Sequence, residues 1–361
     1  MAPFHSPVSD LLTQWAEGQS PTASEWQQME EWVLTDHRSA QAFGITAQQM
    51  RQSLQTRLHL FQAVYPEFVQ LCNALFTVTP VHPSHLRITL WNLWLPLAIQ
   101  LAEARKALNR PLIQGVLGGQ GTGKTTLGAM LKLILAHLGY RMLSFSLDDL
   151  YKTYAERLAL RSQDPRLIWR GPPGTHDVDL GLAVLTQLRQ PHPQAAIAIP
   201  RFDKSAHGGA GDRTQAELVQ AIDIVVFEGW FVGVQPIDPA HFAQAPAPII
   251  TAADRAFAQD CNARLHPYLP LWQQLDRLIV LHPKDYRLSQ TWRKQAEHHL
   301  QFSGKSGMTD AEIEQFVEYF WKALHPELFI QPLLQDPDRV DLVIEINPDH
   351  LPEGIYRPGD R

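Results

Sequence analysis

The sequence predicts an α/β protein, a parallel sheet flanked by helices and preceded by a helical extension. Three observations carry this expectation. From Pro111 onward, short apolar runs alternate with segments whose apolar residues recur at helical spacing, the pattern of βα units. The first of those runs leads into a glycine-rich turn that opens a helix. Before residue 90 the apolar residues follow helical spacing behind two capping signals, Thr22 with Glu25 and Thr46 with Gln49.

Strands are expected at Ile113 to Leu117, Met142 to Ser146, Ala195 to Ile199, Ile224 to Phe227, Leu278 to Leu281 and Leu342 to Ile346. The stretch TPVHPSHL, with Pro80 and Pro83, interrupts the early helices, and a second helical run follows from Trp91 to Leu108. A boundary near residue 85 therefore divides a helical extension, 1–85, from a larger domain, 86–361. The segment TDAEIEQFVEYFWKAL begins with a capping box, Thr309 and Glu312. It places Ile313, Phe316, Val317, Phe320, Trp321 and Leu324 on one helical face, which reads as core packing. Proline-rich patches at 190–200 and 236–248 mark loops.

Charge and composition exclude several classes. Lys and Arg number 31 against 37 Asp and Glu, a net of 31 − 37 = −6, so neither nucleic acid nor an anionic membrane is an expected partner. Any anion site must be local. The most apolar window, LWNLWLPLAIQLAEA, contains Pro96 and falls short of the roughly 20 apolar residues that span a bilayer, so it reads as a buried helix. Cys72 and Cys261 stand far apart without metal-ligand spacing, which argues against a zinc site or a disulfide framework. The N-terminal stretch MAPFHSPVSDLLTQWAEGQS has no Lys or Arg and no signal-like apolar run, so a cytoplasmic location is expected. Oligomeric state is not readable.

The glycine-rich turn is Gly118-Gly119-Gln120-Gly121-Thr122-Gly123-Lys124-Thr125, a GxxxxGK[ST] phosphate loop, with Thr126 next in the helix that follows. Glycines allow positive φ and close backbone approach, so successive amides can face phosphate oxygens at a helix N-terminus. ATP is the expected nucleotide, with Lys124 on the β- and γ-phosphates and the Thr125 hydroxyl on Mg²⁺. The strand AIDIVVF ends in Glu228, placed to be the second Mg²⁺ group, although most phosphate-loop proteins carry Asp there.

No NKxD base motif is present, which turns the reading from a switch GTPase to an acceptor kinase. A kinase needs a base beside the transferred phosphoryl, and SFSLDDLYKTY puts Asp148 and Asp149 where the second strand ends. Consecutive side chains leaving a strand point different ways, so one faces the phosphate. Asp148 is the expected base and Asp149 the first alternative.

The phosphate loop, SLDDLY, PRFDKSAHGGAGDR and VVFEGW together resemble the phosphoribulokinase and uridine kinase family of P-loop small-molecule kinases. Within it, SLDDLY, GPPGTHD, PRFDKSAHGGAGDR, FEGWFVG and GMTDAEIEQFVEYF, spread in order over roughly residues 110–350, are most similar to the D-glycerate 3-kinase group. The resemblance implies a P-loop kinase fold and transfer of the ATP γ-phosphoryl to the 3-hydroxyl of D-glycerate, giving 3-phosphoglycerate in photorespiratory glycolate salvage. It also implies that Ser146 and Asp148 match the family's Ser-x-Asp base motif. Pro200, Phe202, Asp203 and His207 match its substrate loop, with Phe in place of Tyr. His207 and Ala210 stand where the glycerate group carries Tyr and Arg.

A small hydroxylated carboxylate needs one or two cations and polar groups that read its hydroxyls. The loops offer Asp149, Tyr151, Arg170, His176, Asp177, Arg201, Asp203, Lys204, His207 and Arg213, with Arg201 and Lys204 favoured for the carboxylate. Each also reads as a solvated loop charge or local ion pair. In KDYRLSQTWRKQAEHHL, Arg287 and Arg293 are expected on a lid helix over the phosphates. EINPDHL follows the final strand without a recognisable base-reading residue. Two other readings stay open: a kinase of another small alcohol such as uridine, pantothenate or a sugar phosphate, and a nucleotide-dependent regulatory protein that uses its helical extension.

Overall fold

The computed structural model describes residues 7–77, 81–191, 195–302 and 307–359. Pro80 of the expected boundary and residues 192–194 of the first proline-rich patch lie outside them. Helices α1 (Pro7–Ala16), α2 (Ala23–Thr35), α3 (His37–Ala42) and α4 (Met50–Leu75) precede α5 (Pro83–Thr89) and α6 (Leu95–Ala107). A wide turn, Leu90–Trp94, joins the last two, directly before Pro96, whose missing amide proton leaves the ordinary helical ladder incomplete. The remaining helices used below are α7 (Lys124–His137), α8 (Tyr154–Gln163), α9 (Val178–Leu188), α10 (Ala252–Ala263), α11 (Leu269–Trp272), α12 (Leu288–Phe302) and α13 (Asp310–Ala323).

The strands are β1 (Leu112–Gly118), β2 (Met142–Ser146), β3 (Ile197–Asp203), β4 (Asp212–Val219), β5 (Ile224–Gly229), β6 (Arg277–Pro283), β7 (Leu342–Ile346) and β8 (Pro352–Tyr356). Six form one sheet in the order β2-β5-β1-β6-β7-β8, parallel except for β8 at its edge. The strand expected at Ala195 to Ile199 is a correction. It begins at Ile197 and pairs antiparallel with β4 in a separate hairpin, outside the parallel sheet. Two strands were not expected. β4 is almost wholly exposed, so no apolar alternation marks it, and β8 is short and carries Pro352 and Gly354.

Both faces of the sheet are covered, which is why its strands read as continuous apolar runs. Successive residues go to opposite sides. Leu112, Val116, Ile224, Val226, Ile279 and Ile344 join α7 and the N-terminal helices, whereas Ile113, Leu117, Val225, Phe227, Val280 and Val343 join α9 and the segment around Tyr268. Trp15, Met29, Leu54, Phe61 and Trp91 thus share one core with Leu131 and Leu135 of α7. Thr22 and Glu25 form the expected reciprocal cap. Thr46 does not open a helix: its hydroxyl accepts from Gln49 N at 3.3 Å, and α4 starts only at Met50. Cys72 and Cys261 are buried and unpaired. No helix among the described residues is long and apolar enough to cross a membrane.

We propose that helices α1 to α4 are part of one folding unit with the sheet. A chain starting at residue 86 would expose the α7 face now covered by α4. It is expected to unfold roughly 10 °C or more below the full chain, or to aggregate, in thermal unfolding. An unchanged Tm would show that residues 86–361 hold their stability without the extension.

Candidate active site

The C-terminal ends of β1, β2 and β5 lie side by side, and each delivers one part of the site. β1 runs into the phosphate loop, where Gly121 and Gly123 take φ of +78° and +84° and α7 begins at Lys124. The Thr122 hydroxyl donates to Gly119 O at 2.9 Å and is buried, which closes the loop on itself. Lys124 Nζ donates to Gly118 O at 2.7 Å and Gly119 O at 3.0 Å. Burial draws its ammonium below the ordinary lysine value, with Glu228 and Asp148 opposing.

Glu228 sits in register with Ser146 of β2 and Val116 of β1. Its Oε2 is buried without a hydrogen-bond partner, 4.0 Å from Lys124 Nζ. An unsatisfied carboxylate oxygen beside the exposed Thr125, on one cleft wall, is a donor set that suits a hard divalent cation such as Mg²⁺.

The two aspartates after β2 are separated by a capping box on the turn Leu147–Leu150. Asp149 Oδ2 turns back to accept from Ser146 N at 3.1 Å, while Ser146 Oγ accepts from Asp148 N at 3.2 Å. Asp149 is further held by Arg201 at 2.8 Å. Asp148 is left facing the cleft, its Oδ1 accepting from the Tyr151 hydroxyl at 2.8 Å and its Oδ2 from Lys204 Nζ at 2.6 Å. Burial alone would raise the Asp148 carboxyl, but the charge and hydrogen bond of Lys204 and the Tyr151 hydroxyl outweigh it and hold it below the usual carboxylate range.

The cleft has a volume of about 520 Å³. Lys124, Thr125, Asp148, Tyr151, Arg170, Lys204, Glu228 and Arg293 line it. A second cavity of about 670 Å³ continues past Trp169, Arg170, Gly209 and Arg293. Lys204 comes from the β3–β4 hairpin, whose connecting loop holds positive φ at His207, Gly208, Gly209 and Gly211. Arg157 of α8 donates to Ala210 O at 2.7 Å and Gly211 O at 2.6 Å, and Arg170 to Gly209 O at 2.7 Å and Ala210 O at 3.0 Å. Both guanidiniums also lie over the Phe202 ring, at 5.2 and 5.6 Å.

Several expected substrate residues have other work and do not line the cleft. Arg201 is shared between Asp149 at 2.8 Å and Glu217 at 2.6 Å. Arg213 joins Asp177 at 2.8 Å and donates to Tyr151 O at 3.0 Å. Asp203 accepts from Ser205 N and Oγ, and His207 pairs with Asp212 and stacks on Tyr154. Arg287 precedes α12, is 64% exposed beside Asp285 and does not line the cleft. Arg293 does line the cleft, ion-paired with Glu297 at 3.1 Å and lying over Phe316.

Sequence reasoning missed an aromatic wall. Trp230, Trp292, Phe316 and Phe320 line the cleft, so Phe316 and Phe320 are not purely core residues as their helical stripe suggested. Trp292 packs so closely on Gly121 that a Cβ there would lie 2.8 Å from the Trp292 Cβ. The loop after β7 reaches the same place: His350 Nδ1 donates to Gly121 O at 2.8 Å and its ring faces Trp292. Gly121 falls on a variable position of the GxxxxGK pattern, so the spacing alone does not mark it.

Behind Tyr151 lies His176, 2% exposed, stacked on the Tyr151 ring at 4.6 Å and sharing a 2.8 Å hydrogen bond with the Tyr268 hydroxyl. Burial drives its imidazole from 6.5 down to about 3, so it is neutral and supports the site from behind. Below pH 6.5 the unfolded chain binds a proton here that the folded chain refuses, so stability is lost as pH falls from 6.5 toward 3, at up to about 1.4 kcal/mol per pH unit. The His176→Phe variant is expected to show a shallower fall of Tm over that window. Equal slopes in the two proteins would mean that His176 takes up its proton without unfolding.

The chain is 32% identical over 255 residues to the chloroplastic D-glycerate 3-kinase of Arabidopsis thaliana. That match covers 67% of this chain and 54% of the relative, so the chain spans about half of that protein's length. It is also 32% identical over 228 residues to the uncharacterized kinase mug58 of Schizosaccharomyces pombe, covering 61% of this chain and 82% of that one. Among solved structures, D-glycerate 3-kinase from Cryptococcus neoformans superposes with a TM-score of 0.64 at 31% identity, covering 72% of this chain and 95% of that one. No protein-family model matches. A phosphate loop at the centre of a parallel sheet, a carboxylate facing it across a cleft, and these relatives lead to one conclusion: the chain belongs to the family of P-loop kinases that includes D-glycerate 3-kinase.

Proposed function

We propose that this kinase transfers the γ-phosphoryl of ATP to the 3-hydroxyl of D-glycerate. The observation that carries the reading is Asp148: a carboxylate held charged at the cleft wall, bonded to a lysine that sits on an exposed, flexible stem. Among the described residues that line the cleft, the cations are Lys124, Arg170, Lys204 and Arg293. Lys124 serves the nucleotide, which leaves three for an anionic acceptor and the transferring group.

The Gly118–Thr126 amides and Lys124 bind the β- and γ-phosphates, and Thr125 and Glu228 are the residues that would hold Mg²⁺. The ion supplies neutralisation of phosphate charge. Lys204 leaves Asp148 for the glycerate carboxylate, assisted by Arg170, which frees Asp148 Oδ2. The 3-hydroxyl oxygen then bonds to the γ-phosphorus as the bond to the bridging oxygen breaks, the electron pair leaves with ADP, and the hydroxyl proton passes to Asp148. Arg293, which lines the cleft, would meet the charge that spreads onto the phosphoryl oxygens. The aromatic wall of Trp230, Phe316 and Phe320 favours a second reading, an acceptor that carries a ring, such as uridine.

ATP consumption measured with D-glycerate, L-glycerate, uridine and pantothenate in turn separates the two. Stimulation by D-glycerate alone, with 3-phosphoglycerate identified by phosphorus NMR, is expected, and stimulation by uridine instead would overturn the assignment. Asp148→Asn should lower kcat about 10³-fold while nucleotide affinity is kept, whereas Lys124→Ala should lose nucleotide binding. Near-normal turnover in the Asn variant would remove Asp148 from the base role. Tyr151→Phe deletes one of the groups that lower the Asp148 carboxyl, so the acid limb of kcat should move to higher pH; an unmoved limb would mean that another group sets it.

A further inference from the structure

Far from the cleft, the N-terminal helices bury a charge that the fold leaves without a partner. α4 turns Leu54, Leu58 and Phe61 into the core, and Arg57 occupies a place on the same stripe where an apolar residue would be ordinary. Arg57 is only 4% exposed, and its Nε is enclosed without a hydrogen-bond partner. Burial is the one influence on its guanidinium, drawing it down to about 10; no carboxylate among the described residues offsets this. The ring of Trp91, 5.5 Å from the guanidinium carbon, is a favourable but weak neighbour. An unpaired buried cation is among the costliest groups a core can contain, and proteins that keep one hold a counterion for it.

Two cavities meet at this side chain. The larger, about 310 Å³, lies between the 43–45 turn, α4 and α6, and presents the polar side chains of Gln49, Gln52, Ser53, Thr56 and Gln100. The smaller, about 40 Å³, lies against Asn92. Each is bordered by one carboxylate. Glu103 stands exposed at the larger, and Asp36 at the smaller, where it accepts from Ser39 N at 3.1 Å as a helix cap. Neither pairs with Arg57.

We propose that the larger cavity is a binding site for a small hydroxylated oxyanion, whose carboxylate or phosphate seats on Arg57 and whose hydroxyls meet the surrounding amides and hydroxyls. Its volume suits a metabolite-sized ligand. The site is distinct from the catalytic cleft and independent of the acceptor's identity. It is tied to the sheet, because Gln100 Oε1 accepts from Arg277 at the start of β6 at 3.3 Å, and α6 leads into β1. A ligand there stiffens the elements that carry the phosphate loop.

The test is thermal unfolding of the full chain in a Lys124→Ala background, which removes the phosphate loop's own grip on anions. Sodium phosphate and sodium tartrate are titrated in turn, with chloride holding ionic strength constant. A saturable rise in Tm of about 3–6 °C is expected with at least one of them. It should vanish when Arg57→Met is added, while that variant without anion is at least as stable as its parent. A response to phosphate alone assigns a phosphorylated ligand, and a response to tartrate alone a carboxylate. No response to either, or an equal response with and without Arg57→Met, overturns the proposal. Should the Met variant fail to fold, anomalous diffraction from crystals of the unaltered chain soaked in selenate decides. A peak beside Arg57 supports the site, and its absence where the phosphate loop is filled refutes it.

Discussion

A lysine ammonium folded back onto the carbonyls of its own loop is the contact on which the rest of this structure depends. Lys124 reaches Gly118 and Gly119 from the first turn of α7, with the Glu228 carboxylate 4.0 Å away. That geometry requires a strand that ends between two neighbours, so β1 occupies the middle of the sheet with β5 on one side and β6 on the other. A strand so placed is buried on both faces, and the chain must cover both. The segment around Tyr268 and α9 covers one face, and α7 with the N-terminal helices covers the other.

Charge on the acceptor side is divided between holding the backbone and facing the cleft. Asp149, Arg201 and Glu217 form a chain that fixes the turn after β2 to the hairpin, and Arg213 fixes Asp177 to the backbone of Tyr151. These pairs leave Asp148 and Lys204 opposite each other with one contact to make or break. Arg157 and Arg170 bind the carbonyls of a loop that holds left-handed residues at 207, 208, 209 and 211. Arg170 thus both holds this loop and lines the cleft, whereas Arg157, no different in the sequence, holds the loop without lining the cleft.

What could be read in advance follows from how local each signal is. The phosphate loop, the Asp148 position and the parallel strands rest on spacings within ten residues, and β1, β2, β5, β6 and β7 lie where the apolar runs placed them. β4 escaped because its side chains face water on both sides, and Arg201 was misjudged because its partners lie 52 and 16 residues away. The aromatic wall was hidden for a related reason: Phe316 and Phe320 obey the same helical period as the core residues Ile313 and Val317. Arg57 carries no local mark in the sequence; it is the packing of α6 and the 43–45 turn that encloses it.

The bond from His350 to Gly121 joins positions 229 residues apart, and Trp292 closes on the same glycine from a third place in the chain. A ribosome thus delivers the phosphate loop long before it delivers the residues that clasp it. The loop's full set of native contacts exists only after the last parallel strand has been made and its following turn has come back across the sheet. In a chain synthesised from the N-terminus, nucleotide binding in its mature form is consequently a late event, and the early helices must keep the half-built sheet covered until then.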